Sequence, residues 1–311
     1  MINFAVIDLG SNSVRMTITQ ITNDGNTKVT HQLKEMVRLS ENMGDQKVLQ
    51  EGPINRTLGA LEDFEKVYKD LPNLHIEALA TAAVRVATNQ SEFLQLVKEK
   101  IGIEFKVITG KQEAYLDFLG VTRTLNVGRD CLIIDTGGAS TELILVKKGE
   151  IAHLISLPFG SVTISQDFNL DDKIKPSDLF LAMTEVEKSL TDIDWLIDAH
   201  KTNLVVLGGS NRTLAKIARR KVDAENPPAI HGFTLSSSKA FDIFAELVDL
   251  DKNEREKIPG LAKARADVII GGLTPISLIM RALHITQILF SNHGLREGAL
   301  FDYIDNNNQF N

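Results

Sequence analysis

Two stretches of this chain, Phe4 to Ile21 and Cys131 to Val146, share one form: an apolar strand, a short polar turn containing glycine, and a second strand. Sliding one over the other by 127 positions places Asp8 on Asp135, Gly10 on Gly137 and Ser13 on Ser140. A single Asp-x-Gly-x-x-Ser arises easily by chance, but two of them inside matched hairpins point to duplication. The pattern therefore predicts an α/β protein of two similar lobes facing one another across a cleft. Length agrees, because 311 residues exceed one ordinary core and suit roughly two domains of about 150 residues each. A hydrophobic fraction of 43% with 24% charged residues is that of a folded globular chain, which sets disorder aside.

Between the hairpins, Ile54 to Leu71 shows helical spacing through Leu58, Leu61, Phe64, Val67 and Tyr68. Leu74 to Ala80 reads as a strand, with Thr81 placed to cap a short helix. Ser91 with Leu94, Val97 and Ile101 gives another amphipathic helix, and Phe105 to Ile108 returns as a strand. A helix from Gln112 to about Thr124 is the expected crossing point between lobes. In the second half, Asp178 to Asp198 reads as one helix and Asn203 to Leu207 as a strand. Gly208, Gly209 and Ser210 follow, and a helix starts near Arg212; strand, glycines and helix aim unpaired N–H groups at an anion. Pro227-Pro228, Gly232 and Ser236 to Ser238 mark loops, and the polar tail from Asp305 to Asn311 is expected to fray.

Composition excludes several function classes. A net charge of −7 argues against nucleic-acid binding, although a few arginines gathered in one place still make a site for a polyanion. The one cysteine, Cys131, has no intrachain partner for a disulfide; at the start of an apolar run it reads as a buried, inert thiol. The apolar region Ala266 to Phe290 contains Asp267, Pro275, Arg281 and His284, which suits buried helices better than a membrane span. The chain opens on a strand-like segment without an export signal, so cytoplasm is the expected compartment. Neither a Gly-x4-Gly-Lys-Ser/Thr loop, a Gly-x-Gly-x-x-Gly fingerprint nor a His-Glu-x-x-His pair is present. The seven histidines lack metal-ligand spacing.

What the turns offer is phosphate chemistry. Glycine and serine let backbone N–H groups converge on phosphate oxygens, and an aspartate at the end of each buried strand is placed to hold Mg²⁺. With no His or Cys nucleophile in evidence, direct attack by water is simplest. The water needs a base, for which Glu113 and Glu142 are the candidates. Either one is alternatively a solvated helix or strand residue.

Six motifs, in order along nearly the whole chain, resemble those of the exopolyphosphatase / guanosine pentaphosphate phosphohydrolase family, within the sugar kinase, heat-shock ATPase and actin superfamily. They are Asp8-Leu-Gly-Ser-Asn-Ser-Val-Arg15, Ala80-Thr-Ala-Ala-Val-Arg85 with Asn89, Thr109-Gly-Lys-Gln-Glu113-Ala, Asp135-Thr-Gly-Gly-Ala-Ser-Thr-Glu142, Gly208-Gly209 and Gly294-Leu-Arg-Glu-Gly298. The resemblance implies two ribonuclease H-like, actin-like lobes, 1–118 and 119–311, with the C-terminal end packing back on the first and the active site in the cleft. It implies catalytic roles for Glu113 and Glu142, with Glu113 the base. It implies a divalent ion, Mg²⁺ or Mn²⁺, at Asp135 and Glu142, supported by Asp8. Phosphate contacts are implied for Ser11, Asn12, Ser13, Arg85, Gly137, Gly138, Ala139, Ser140, Gly208 and Gly209. Arg15 and Arg265 are weaker matches, since local carboxylates are alternative partners.

Two departures stand out: Ala139 where the family often has glycine, and Lys111-Gln112 where an acidic residue commonly precedes the base. The chain also looks like the short form without the helical C-terminal region of long members. The implied activity is release of orthophosphate from inorganic polyphosphate, with guanosine pentaphosphate hydrolysis, or binding of either ligand without hydrolysis, as alternatives. A homodimer, with no membrane or nucleic-acid partner, is the implied assembly.

Overall fold

The computed structural model describes residues 1–307. In chain order, the elements of the first part are β1 (Ile2–Leu9), β2 (Val14–Ile21), β3 (Thr27–Glu35), α1 (Glu51–Tyr68), β4 (Leu74–Ala80), α2 (Ala82–Val86), α3 (Gln90–Ile101), β5 (Lys106–Val107) and α4 (Gly110–Thr122). There follow β6 (Cys131–Thr136), β7 (Thr141–Lys147), β8 (Glu150–Leu157), α5 (Ser161–Asp167), α6 (Pro176–Thr191), β9 (Asn203–Gly208), α7 (Gly209–Val222), β10 (Thr234–Ser236), α8 (Ser237–Asp249), α9 (Lys252–Arg255), α10 (Ile269–Ala282), β11 (Gln287–Phe290) and α11 (Leu295–Asn306). The chain divides into two compact units: Met1–Gly120 together with the segment from Leu295 on, and Val121–Gly294.

In the first unit the sheet runs β3-β2-β1-β4-β5. The first three strands are antiparallel, and β4 and β5 join parallel to β1. Strand β1 is apolar almost throughout because both of its faces are covered. Ala5, Ile7 and Leu9 pack with Leu58, Leu61 and Phe64 of α1 and Phe93 and Val97 of α3. Their alternates, Phe4 and Val6, pack with Leu295, Ala299 and Leu300 of α11. Burying the two leucines contributes about 1.5–3 kcal/mol each. This is why the chain from Leu295 joins the first unit and the second ends at Gly294.

The second unit repeats the order as β8-β7-β6-β9-β11, with β10 added at the far edge. Strand senses match as well: β6, β7 and β8 are antiparallel, and β9 and β11 parallel to β6. Even the irregularity recurs. The β2–β3 ladder slips between Ile18 and Thr19, and the β7–β8 ladder between Leu145 and Val146, at the same shift of 127 positions. A repeated bulge in a repeated topology is the mark of a duplicated ribonuclease H-like unit. Leu132, Ile134, Leu204 and Val206 form this unit's main core with α7, α8 and α10.

Local differences from the sequence reading have physical causes. The Asp178–Asp198 stretch is α6 followed by a separate 3₁₀ turn, Asp194–Ala199, because Ile193 is extended between them. Thr81 does not cap α2; its Oγ1 donates to the Leu9 carbonyl, 3.4 Å away, stapling β4 to β1. Helix α7 starts at Gly209, three residues before Arg212. Asp305 and Asn306 of the expected frayed tail belong to α11, and 308–311 lie outside the described residues. Ala266 to Phe290 resolves into buried α10 and β11, and no helix among the described residues is long and apolar enough to cross a membrane. Cys131 is buried, which pushes its thiol up to about 12, in keeping with the inert reading.

Candidate active site

In the first unit the candidate residues gather at the C-terminal ends of the parallel strands β1, β4 and β5, where open α/β sheets collect ligands. The turn after β1 closes on itself through the Gly10 N–H and the Ser13 carbonyl, 3.1 Å apart. The segment following β3 clamps it: Arg38 N–H donates to the Asn12 carbonyl at 3.0 Å and Ser40 N–H to the Ser11 carbonyl at 2.9 Å. The protein therefore grips this turn by its carbonyls. Asn12, only 8% exposed, keeps a side-chain N–H donor without a protein acceptor. Such a donor costs about 1–3 kcal/mol, and it suits a turn built to receive an anion.

Glu113 lies in the first turn of α4, where a negative charge is favoured by the helix dipole. Its position is fixed by a reciprocal cap. The Thr109 N–H donates to Gln112 Oε1 at 2.9 Å, and the Gln112 N–H donates to Thr109 Oγ1 at 3.2 Å. The departure at Gln112 thus has a structural role, since glutamine serves at the third helical position of a capping box. Arg85, at the end of α2, donates from Nη1 to Glu113 Oε2 at 3.1 Å and to the Ile108 carbonyl at 2.9 Å. The Glu113 side chain is 13% exposed, so it is not a solvated helix residue.

Asp8 and Arg15 are direct partners across β1 and β2. The Asp8 carboxylate also lies 3.7 Å from Nη1 of Arg296, whose Nε donates to Thr17 Oγ1 at 3.1 Å. A carboxylate beside a guanidinium is a weakened cation ligand. The geometry gives Asp8 a part in seating α11.

The second unit builds its turn the same way. Gly137 N–H donates to the Ser140 carbonyl at 3.0 Å. The segment after the third strand again clamps by the carbonyls: Ser161 N–H reaches the Gly137 carbonyl at 2.9 Å and Val162 N–H the Gly138 carbonyl at 2.8 Å. These donors belong to the first turn of α5, where helix N–H groups lack helical partners. The approach is possible because residue 160 is glycine. A Cβ there would sit 2.7 Å from the Gly138 carbonyl carbon and 2.8 Å from the Ala139 nitrogen.

Asp135 and Glu142 are direct partners across β6 and β7. Glu142 is 1% exposed and its Oε1 accepts from Ser156 Oγ at 2.7 Å, so it too is no solvated strand residue. Two neighbouring carboxylates suit a hard divalent ion. Among the described residues no group of three or more His, Cys, Asp and Glu gathers into a metal site.

At the end of β9, Gly208 has φ +94°, and a side chain there would run into the Thr136 carbonyl and Asp135 Oδ1. The Arg265 guanidinium, 7% exposed as a residue, packs against Gly209 at the α7 N-terminus. Arg265 and the helix N–H groups thus share one anion-favouring corner.

Of the sequence candidates, the first unit brings Ser11, Asn12, Ser13, Asp8 and Arg15 onto one hairpin and pairs Arg85 with Glu113. The second brings Asp135, Gly137, Gly138, Ala139, Ser140 and Glu142 onto its hairpin, with Gly208, Gly209 and Arg265 at the neighbouring strand end. Sequence reasoning missed Gly160 with Ser161 and Arg296. Only Thr109-x-x-Gln112 carried a legible signal.

Two ribonuclease H-like units, each presenting a carbonyl-clamped glycine turn beside carboxylates and arginines, define a phosphate-handling protein. The Ppx/GppA phosphatase family model matches residues 17–307, and the chain belongs to that family. It is 30% identical to a bifunctional 3-dehydroquinate synthase/phosphatase of Fusobacterium nucleatum subsp. nucleatum, over 97% of this chain and 46% of that protein. It is 29% identical to a guanosine-5'-triphosphate,3'-diphosphate pyrophosphatase of Vibrio campbellii, over 97% of this chain and 59% of that protein. The chain thus spans about half the length of these relatives. Among solved structures, a Ppx/GppA family member from Aquifex aeolicus superposes with a TM-score of 0.80 at 29% identity, covering 98% of this chain and 99% of that one. An exopolyphosphatase from Cytophaga hutchinsonii gives 0.91 at 25% identity, covering 99% and 100%.

Proposed function

We propose that this chain hydrolyses the terminal phosphoanhydride of inorganic polyphosphate and releases orthophosphate. The observation that carries the reading is Glu113, held by the Thr109–Gln112 cap and the Arg85 guanidinium at the end of the first unit's parallel strands. A fixed, part-buried carboxylate of this kind orients a water and accepts its proton. The water oxygen forms the new bond to the terminal phosphorus, and the bridging P–O bond breaks with its electron pair leaving on the shortened chain. Arg85 and the N–H groups of the first unit's glycine turn stabilise charge on the phosphoryl oxygens, where positioning and electrostatics supply most of the rate. Asp135 and Glu142 of the second unit would hold Mg²⁺ or Mn²⁺, an ion that supplies positive charge to phosphate oxygens.

The name of the Vibrio relative favours a second substrate, guanosine pentaphosphate, whose 5′ end is also a terminal phosphoanhydride. The test is phosphate release from long polyphosphate, tripolyphosphate, guanosine pentaphosphate and ATP at equal concentrations of ends, with Mg²⁺ and with Mn²⁺. Polyphosphate is expected to be the best substrate. A higher kcat/KM on guanosine pentaphosphate would install the second reading, and tight binding without release from any of the four would make the protein a sensor.

A further inference from the structure

The proposed hydrolysis leaves the motif Gly294-Leu-Arg-Glu-Gly298 without a role, yet its last four residues open α11, which belongs to the first unit. Gly298 is buried. A Cβ there would run into the Leu116 carbonyl oxygen of α4 and sit 2.6 Å from the carbonyl carbon and 2.9 Å from the Leu116 Cα. All three atoms are backbone, so no side chain can swing aside to make room. Glycine weakens a helix interior, and here it lets α11 cross α4 at backbone contact. Leu116 comes three residues after Glu113, which puts the crossing on the same flank of α4, about 4.5 Å further along its axis.

The same helix supports the partner of that carboxylate. Leu295 and Ala299 share one buried cluster with Ile108 and Leu116, and the Ile108 carbonyl accepts from Arg85, which donates to Glu113. Two residues before Gly298, Arg296 fastens α11 to the β1–β2 hairpin. Its Nε donates to Thr17 Oγ1 at 3.1 Å, and its Nη1 lies 3.7 Å from the Asp8 carboxylate. One helical turn therefore touches both parts of the first unit's site: the hairpin carrying the Ser11–Ser13 turn and the helix carrying Glu113. Packed backbone transmits displacement instead of absorbing it.

We infer that Gly298 and Arg296 are positioning residues, the first turn of α11 setting the distance between the Ser11–Ser13 turn and Glu113. The inference rests on the reading of Glu113 as the base and names what holds that base against the phosphate-binding turn.

The test is a double-mutant cycle. Gly298→Ala and Arg296→Lys are each made alone and together with Glu113→Gln, and thermal unfolding checks that every protein is folded. Phosphate release from tripolyphosphate with Mg²⁺ gives kcat and KM. A displacement of about 1 Å at reacting groups costs around 100-fold, so Gly298→Ala is expected to lower kcat by about 30–100-fold with KM within about threefold. Arg296→Lys keeps a cation beside Asp8 but loses the guanidinium bond to Thr17, for which about a fivefold loss of kcat is expected. In the Glu113→Gln background neither change is expected to lower turnover more than about twofold, because the group being positioned is gone. A helix needed only for folding would lower turnover by the same factor in both backgrounds. That result, or unchanged kcat in the single variants, would overturn the inference. Arg296→Lys carries the cycle if Gly298→Ala yields no folded protein.

Crystal structures of the single variants read the geometry apart from activity. The Glu113 carboxylate is expected to move by about 1 Å relative to the Ser11–Ser13 turn, and an unmoved carboxylate would overturn the positioning role. A wild-type chain that releases no phosphate, or a Glu113→Gln variant with wild-type turnover, removes the reading of the base, and the crystal structures then decide the positioning role alone.

Discussion

Glu113→Gln is expected to lower metal-dependent phosphate release by about 10²–10⁴-fold, the range that a positioned general base supplies, while polyphosphate binding stays within a few-fold of wild type. Glutamine keeps an oxygen that accepts from Arg85 Nη1, now 3.1 Å from Glu113 Oε2, and it leaves the Thr109–Gln112 cap untouched. The change therefore removes the proton acceptor and little else. Phosphate release and equilibrium binding, measured on the same preparation, separate the two effects. Unaltered turnover would take Glu113 out of the mechanism, and lost binding would make it a determinant of the Arg85 corner.

Gly160→Ala is expected to disturb the second unit's glycine turn. The backbone at 160 is ordinary extended chain, with φ −157°, so an added Cβ meets no conformational penalty of its own. Its cost comes from the Gly138 and Ala139 backbone less than 3 Å away. Either α5 retreats and its N–H groups release the Gly137 and Gly138 carbonyls, or the turn itself shifts. Overpacking of this sort costs about 1–3 kcal/mol, and a displacement of about 1 Å at reacting groups costs around 100-fold in rate. Gly59→Ala in α1, where a Cβ meets nothing within 4 Å, is the matched control. It should raise stability by about 0.5–1 kcal/mol and leave turnover alone. The two variants shift the melting temperature in opposite directions and only Gly160→Ala lowers phosphate release if the 160 contact matters; small, equal effects of both would show that it does not.

The duplication was legible because it rests on apolar strands and an Asp-x-Gly-x-x-Ser turn, both short-range signals. Strand β3 was not legible, since Thr27–Glu35 is largely exposed and shows no apolar alternation; its pairing with β2 alone makes it a strand. Gly160 was equally silent, because a glycine needed for one distant backbone contact looks like any loop glycine. Arg296 stood within a recognised motif, but its partners Asp8 and Thr17 lie at the other end of the chain. Whether Glu113 and Glu142 were solvated surface residues was not legible, because only burial and hydrogen bonding separate them from the surface. Gln112, part of the Lys111-Gln112 departure, is also a helix cap. The Thr109-x-x-Gln112 pattern that shows this was present in the sequence all along.

The central claim is that water attacks the terminal phosphorus of a chain. It is tested most directly by letting the enzyme digest long-chain polyphosphate in water enriched in oxygen-18, then locating the label by mass spectrometry. One solvent oxygen is expected in each released orthophosphate and none at the new end of the shortened chain. Label at the chain end, with unlabelled orthophosphate, would place attack on the neighbouring phosphorus and contradict it.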